Sequence, residues 1–199
     1  RLVSERRRMT TFRADPEGYR RVSFRLKPET LALRRFVDPA PFVPSDKQDR
    51  DRRCEEILSI QSMGLKKRLF HTRAKSAVVG VSGGLDSTLA LLVTARAFDA
   101  LQLPRAGILA VTMPCFGTTG RTYQNACQLA RSLGCTLREV PIEEAVKLHF
   151  RDIGHDPEKR DITYENAQAR ERTQVLMDLA NQYGGLVIGT GDMSELALG

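Results

Sequence analysis

Nowhere in the 199 residues does an apolar run approach the ~20 residues that a membrane-spanning helix needs. The arginine-rich start, Arg1 to Arg8, has no apolar stretch behind it and does not read as a secretory leader. A soluble, unexported, cytoplasmic protein without a membrane partner is therefore expected. Metal-type cysteine spacing is missing as well. Cys54, Cys115, Cys127 and Cys135 form no C-x-x-C pair and show no zinc spacing with His71, His149 or His155. They are expected as thiols in a reducing compartment. Cys115 has no base or charge partner in sequence, so it reads as a small buried residue and not as a nucleophile. No Ser/His/Asp or Cys/His set, no internal repeat and no low-complexity tract is present either.

What is present begins with a charge surplus. Residues 1–53 hold 15 Lys/Arg against 8 Asp/Glu, while residues 54–199 hold 16 of each, so the net charge of +7 lies entirely in the leader. A neutral body with a basic leader does not read as a nucleic-acid footprint, and no nucleic-acid partner is expected. Residues 1–48 show no sustained helical period, and Pro39-Ala40-Pro41-Phe42-Val43-Pro44 forbids regular structure. They read as a connector, and the absence of an initiator Met suggests a piece of a longer chain. The main domain is expected over residues 49–199, starting with a helix capped by Asp49 or Asp51 and running to about His71.

From Ala77 onward, β-branched runs alternate with helix-length stretches. Ala77 to Val81 and Gly107 to Met113 read as buried strands, and Leu137 to Pro141 and Leu186 to Gly189 as a third and a fourth strand. Thr88 to Ala97, the stretch around Tyr123 to Leu133, Glu143 to Phe150 and Tyr164 to Tyr183 (capped by Thr163) read as helices. This alternation predicts an α/β fold, a doubly wound parallel sheet with helices on both faces. Ligands in such sheets bind beyond the carboxyl ends of strands, where Gly83, Met113 and Thr190 fall.

The first strand runs into Ser82-Gly83-Gly84-Leu85-Asp86-Ser87. Adjacent glycines allow a sharp turn and a close ligand approach, and the following helix start offers N–H groups at the positive end of its dipole. The turn is not a Walker loop, because the spacing is too short and no Lys follows. A carboxylate at Asp86 makes sense beside phosphates through a bridging cation such as Mg²⁺. The plainer alternative is a glycine turn capped by Asp86 and Ser87. These residues resemble the S-G-G-x-D-S loop of ATP pyrophosphatases, which cut ATP between its α and β phosphates.

The last strand leads into Gly189-Thr190-Gly191-Asp192-Met193-Ser194-Glu195-Leu196-Ala197-Leu198-Gly199. With Met113-Pro114, Phe116-Gly117 and Tyr164 to Arg172, this stretch resembles the glutamine-dependent NAD synthetases. The likeness runs from about Arg53 to Gly199, and only Met193 departs from the family's final motif, by a volume-conserving swap. The resemblance implies ATP binding at Ser82, Gly83, Gly84, Leu85, Asp86, Ser87, Thr88, Leu89 and Thr190. It implies Asp86 and Glu195 as catalytic Mg²⁺ ligands, and deamido-NAD binding at Asn166, Arg170 and Glu195. Asn166 and Arg170, four apart, share one helix face.

The implied reaction adenylates the nicotinate carboxylate of deamido-NAD with ATP and then displaces AMP with ammonia. Glutamine, through an upstream glutaminase domain whose tail Arg1 to Phe12 resemble, is the implied ammonia source, and a homo-oligomer is expected. Two other readings stand: a related pyrophosphatase-loop ligase of the GMP synthetase or tRNA thiolase type, and a non-catalytic nucleotide-binding or assembly module. Thr190 also has the plainer role of a helix cap, and Glu195 that of a solvated carboxylate.

Overall fold

A computed structural model describes residues 22–27, 34–116, 120–191 and 193–198, the side chains of 194–196 excepted. Contacts divide the chain into Arg1–Phe42 and Val43–Gly199. In the first unit the described residues form no helix or strand, and Val22, Phe24, Leu26 and Phe36 are exposed. Arg1 to Phe12 lie outside the described residues.

The second unit opens with α1, Lys47–Thr72, whose cap is Asp46 and not Asp49 or Asp51. The Asp46 carboxylate accepts from the Asp49 N–H at 2.8 Å, so Asp49 contributes a backbone donor to the first turn and its charge favours the dipole. The chain continues as β1 Ala77–Gly80, α2 Leu85–Ala100, a 3₁₀ turn Arg105–Gly107 and β2 Ile108–Thr112. After these come α3 Gly120–Ser132, β3 Thr136–Glu139, α4 Glu143–Asp152, α5 Ile162–Tyr183, β4 Leu186–Ile188 and α6 Met193–Leu198.

All strand pairings are parallel, in the order β3-β2-β1-β4. Alternation along the strands divides the core. Ala77, Val79, Ile108 and Ala110 pack with Leu69, Leu91, Ala95, Phe98, Ala126 and Ala130 of α1, α2 and α3. On the other face Val78, Leu109 and Val111 pack with Leu179 and Ala180 of α5. Phe98 and Leu91 are fully buried, each stabilising by about 1.5–3 kcal/mol through the area it removes from water.

A satellite cluster of Ile142, Val146, Phe150, Tyr164 and Ala167 seats α4 on α5. α5 is capped by Asp161 and not by Thr163, whose N–H instead donates to Asp161 Oδ1 at 2.9 Å. The helix ends on Gly184 at φ 61°, and Gly185 leads directly into β4, which pairs with β1. A Cβ on Gly185 would lie 2.7 Å from the Ser76 carbonyl oxygen, so a side chain there would push the two strands apart. No described helix is long and apolar enough to cross a membrane.

Candidate active site

β1 is flanked by β2, which follows it, and by β4, which the chain reaches after crossing to the opposite face. The order reverses beside β1, and a crevice at the carboxyl ends of such strands is where α/β sheets hold ligands. The glycine turn lies there. Gly83 takes φ 84°, and a Cβ on it would come within 2.1 Å of the Thr122 carbonyl oxygen. Only glycine fits between the turn and the first residues of α3.

The hydroxyls in the turn hold the turn itself. Ser82 Oγ accepts from the Gly84 N–H at 3.2 Å, and the Ser82 N–H donates to Ser87 Oγ at 3.3 Å. Ser87 Oγ and Thr88 Oγ1 both donate to the Gly84 carbonyl, at 3.1 and 2.8 Å. Gly84 is the cap residue of α2 and, lacking a side chain, gives the N–H groups of the first turn no side-chain cap. Neither Asp86 nor Ser87 caps it, against the plainer alternative drawn from sequence. The start of this 16-residue helix thus carries N–H groups without a side-chain cap, the kind of helix end that suits an anion. Asp86 sits in the first turn, exposed, without an ion pair among the described residues.

Ser82, Asp86, Ser87 and Thr190 line one cavity of about 500 Å³. Thr112, Met113 and Pro114 close it beyond β2, Thr122 and Tyr123 beside α3, and Arg172 and Leu176 from α5. Polar groups gather at the turn, and apolar ones on the β2 side. The Tyr123 hydroxyl donates to Glu139 Oε2. That bond, together with contact to Cys127, pushes the phenol up to about 12. Cys115, just beyond the cavity wall, is buried, and burial pushes its thiol up, which disfavours the nucleophilic thiolate. No disulfide joins any of the four cysteines.

Asp86 and Thr190 also border a second cavity of about 610 Å³, lined by Gln61, Leu65, Leu89, Val93, Ile188 and Met193 among others. Leu89 therefore faces away from the turn's own cavity, and Leu85 is 86% exposed. Asn166 and Arg170 do share a face, as their spacing predicted, but it forms a separate shallow groove of about 400 Å³ with Thr173 and Gln174. It is Arg172 that α5 contributes to the main cavity. Glu195 lies on α6, and its side chain falls outside the described residues.

Sequence reasoning missed Thr112, Tyr123, Arg172 and Leu176 as lining residues. Arg172 ends the Tyr164 to Arg172 run, and Tyr123 lies in the stretch that reads as a helix from sequence. Their exposure to the cavity depends on how α3 and α5 rotate against the sheet, which no local pattern encodes.

A parallel sheet with a glycine turn feeding a helix start at the strand-order reversal defines an α/β protein of the doubly wound kind, with its main crevice at the carboxyl ends of the strands. Comparison with known proteins sharpens this. A family model described as NAD synthase matches residues 57–199, and the chain belongs to that family. It is 48% identical, across its whole length, to the glutamine-dependent NAD(+) synthetase of Mycobacterium leprae, of which it spans 31%. Among solved structures it is similar to glutamine-dependent NAD+ synthetase from Acinetobacter baumannii in complex with ADP. That match has 30% identity and a TM-score of 0.66, covering 72% of this chain and 27% of the other. NMN synthetase from Francisella tularensis is also similar, at 26% identity and a TM-score of 0.60, covering 71% of this chain and 56% of that one.

Proposed function

We propose that this chain forms the adenylating site for the ATP-dependent amidation of deamido-NAD to NAD. The observation that carries the reading is the convergence of Ser82, Asp86, Ser87 and Thr190 on one cavity beside an uncapped helix start. Such a helix start suits a phosphate chain, and the glycine turn lets the chain approach the backbone. An oxygen of the nicotinate carboxylate attacks the α-phosphorus of ATP, the bond to the β-phosphate oxygen breaks, and pyrophosphate leaves with that electron pair. Ammonia then attacks the acyl carbon, loses a proton and displaces AMP.

No side-chain nucleophile is required, which agrees with a cavity lined by hydroxyls, one carboxylate and one guanidinium. The turn's N–H groups and Arg172 hold developing phosphate charge, and the α5 and β2 walls keep the adenylate from water. Asp86 suits a divalent cation, since its exposed carboxylate stands in the first turn of the phosphate-facing helix. When bound, Mg²⁺ would neutralise phosphate charge there. Glu195 is the second ligand we propose, with Asn166 and Arg170 on the nicotinate dinucleotide. Glutamine supplies ammonia through a glutaminase domain of the same parent protein.

The test is product analysis with the whole protein that carries this chain, given ATP, deamido-NAD and ammonium. Equal yields of AMP and NAD are expected; ADP or orthophosphate in place of AMP would refute the reading. The likeness to an NMN synthetase favours one related reading, amidation of the mononucleotide, and preferential use of nicotinate mononucleotide would establish it instead.

A further inference from the structure

Arg172 is the one cation among the described residues that line the main cavity. It is half-buried and forms no ion pair with any described residue, whereas Arg170, two positions earlier, is exposed on the separate groove. A guanidinium is costly to desolvate without a counter-ion, and its planar fork matches a carboxylate. Packing sets where it stands. Leu176, one turn further along α5, covers the end of β1, where a Cβ on Gly80 would lie 3.0 Å from Leu176 Cδ1. The charge also reaches the Cys115 thiol beyond β2: burial raises that thiol, and the Phe116 backbone and then Arg172 oppose the rise.

Electrostatics decides what such a cation takes. Asp86 already gives this cavity one carboxylate, and ATP brings its phosphates. A substrate carboxylate that enters beside them is repelled unless a cation accompanies it. Asn166 and Arg170 do not supply that cation at the reacting atoms, because their groove shares no lining residue with the main cavity. Arg172 does. With the far phosphates in the glycine turn, the α-phosphate is last in line and lies away from the turn, where β2, α3 and α5 form the walls.

We propose that Arg172 holds the nicotinate carboxylate of the substrate and so distinguishes the acid from the amide it becomes. The guanidinium pairs with the carboxylate and leaves a lone pair on one oxygen free to attack the α-phosphorus. Once the amide has formed the negative charge is gone. A neutral carboxamide makes a weaker bond to the same fork, which favours product release. The assignment rests on the amidation reading of this cavity, and it holds equally for a nicotinate mononucleotide.

Deamido-NAD and NAD differ only in this group, so their binding to the whole protein isolates it. Mg²⁺ and α,β-methylene-ATP fill the ATP site without allowing turnover. Titration calorimetry with wild type is expected to show the acid bound about tenfold or more tightly than the amide, the usual worth of a hydrogen bond to a charged partner. Equal affinities would overturn the assignment whatever the variants do. Arg172→Gln and Arg172→Met keep an extended side chain and remove its charge. In either variant that retains the wild-type circular dichroism spectrum, acid binding should weaken about tenfold or more and NAD binding less than about twofold, erasing the preference. A preference that survives would overturn the inference, as would equal weakening of both ligands, the mark of a residue that only supports the wall. Wild type that forms no NAD from ATP, deamido-NAD and ammonium defeats the amidation reading itself. Wild type that forms NAD, with an acid preference left intact in Arg172→Gln, defeats this inference alone.

Discussion

At the scale of single residues, Gly83 carries the tightest constraint in the site. Its φ of 84° disfavours any other residue by on the order of 1–3 kcal/mol, and an added Cβ would also overlap the Thr122 carbonyl. Gly83→Ala should therefore displace the turn and weaken ATP binding at least tenfold, while the sheet still forms. Titration calorimetry with ATP beside circular dichroism checks both halves; tight ATP binding by the variant would show that the turn tolerates a side chain. Asp161 makes a different prediction. Its carboxyl is held below the usual carboxylate range, first by the Tyr164 N–H, then by Lys159, the Thr163 N–H and His155. A depressed folded pKa contributes stability that is present above the unfolded value, about 4, and is lost as pH falls through the folded one. Asp161→Ala should lower Tm by a few degrees at pH 7 and by much less at pH 3. An equal drop at both values would remove the charge from the explanation.

At the scale of elements, α5 lines two separate cavities with residues that one sequence run holds together. Leu176 and Arg172 look into the main cavity, while Asn166 and Arg170 open on a separate groove. If that groove reads deamido-NAD, Asn166→Ala should weaken its use by on the order of 1–3 kcal/mol and leave ATP nearly unaffected. Kinetics with each substrate varied in turn decide it, and equal losses would reduce α5 to a support. The elements themselves were legible, because a run such as Ala77-Val78-Val79 must be buried on both faces and the stops at Gly134 and Gly184 are chemically marked. Their starts were less so. Asp46 lies three residues ahead of Asp49 and five ahead of Asp51, and Asp161 two ahead of Thr163, in stretches where several carboxylates or hydroxyls compete and only the backbone path selects one. Ser82 to Ser87 could be read because turn, strand and helix start are contiguous. Thr112, Tyr123 and Arg172 could not, since they converge from three elements only after the sheet has formed.

At the scale of the whole molecule, one reversal in strand order organises the cavity. Because β4 returns beside β1, Thr190 comes to the same rim as Asp86, although 103 intervening residues separate them in sequence. The central claim is that this rim cuts ATP between its α and β phosphates to activate a carboxylate. Pyrophosphate release, followed with and without deamido-NAD in the whole protein and in its Asp86→Asn variant, tests the claim most directly. The account predicts pyrophosphate release by wild type only when deamido-NAD is present. It predicts at least a hundredfold loss in the folded variant, about 3 kcal/mol or more of transition-state stabilisation. Near-normal release by Asp86→Asn at saturating Mg²⁺, or phosphate release in place of pyrophosphate, would contradict it.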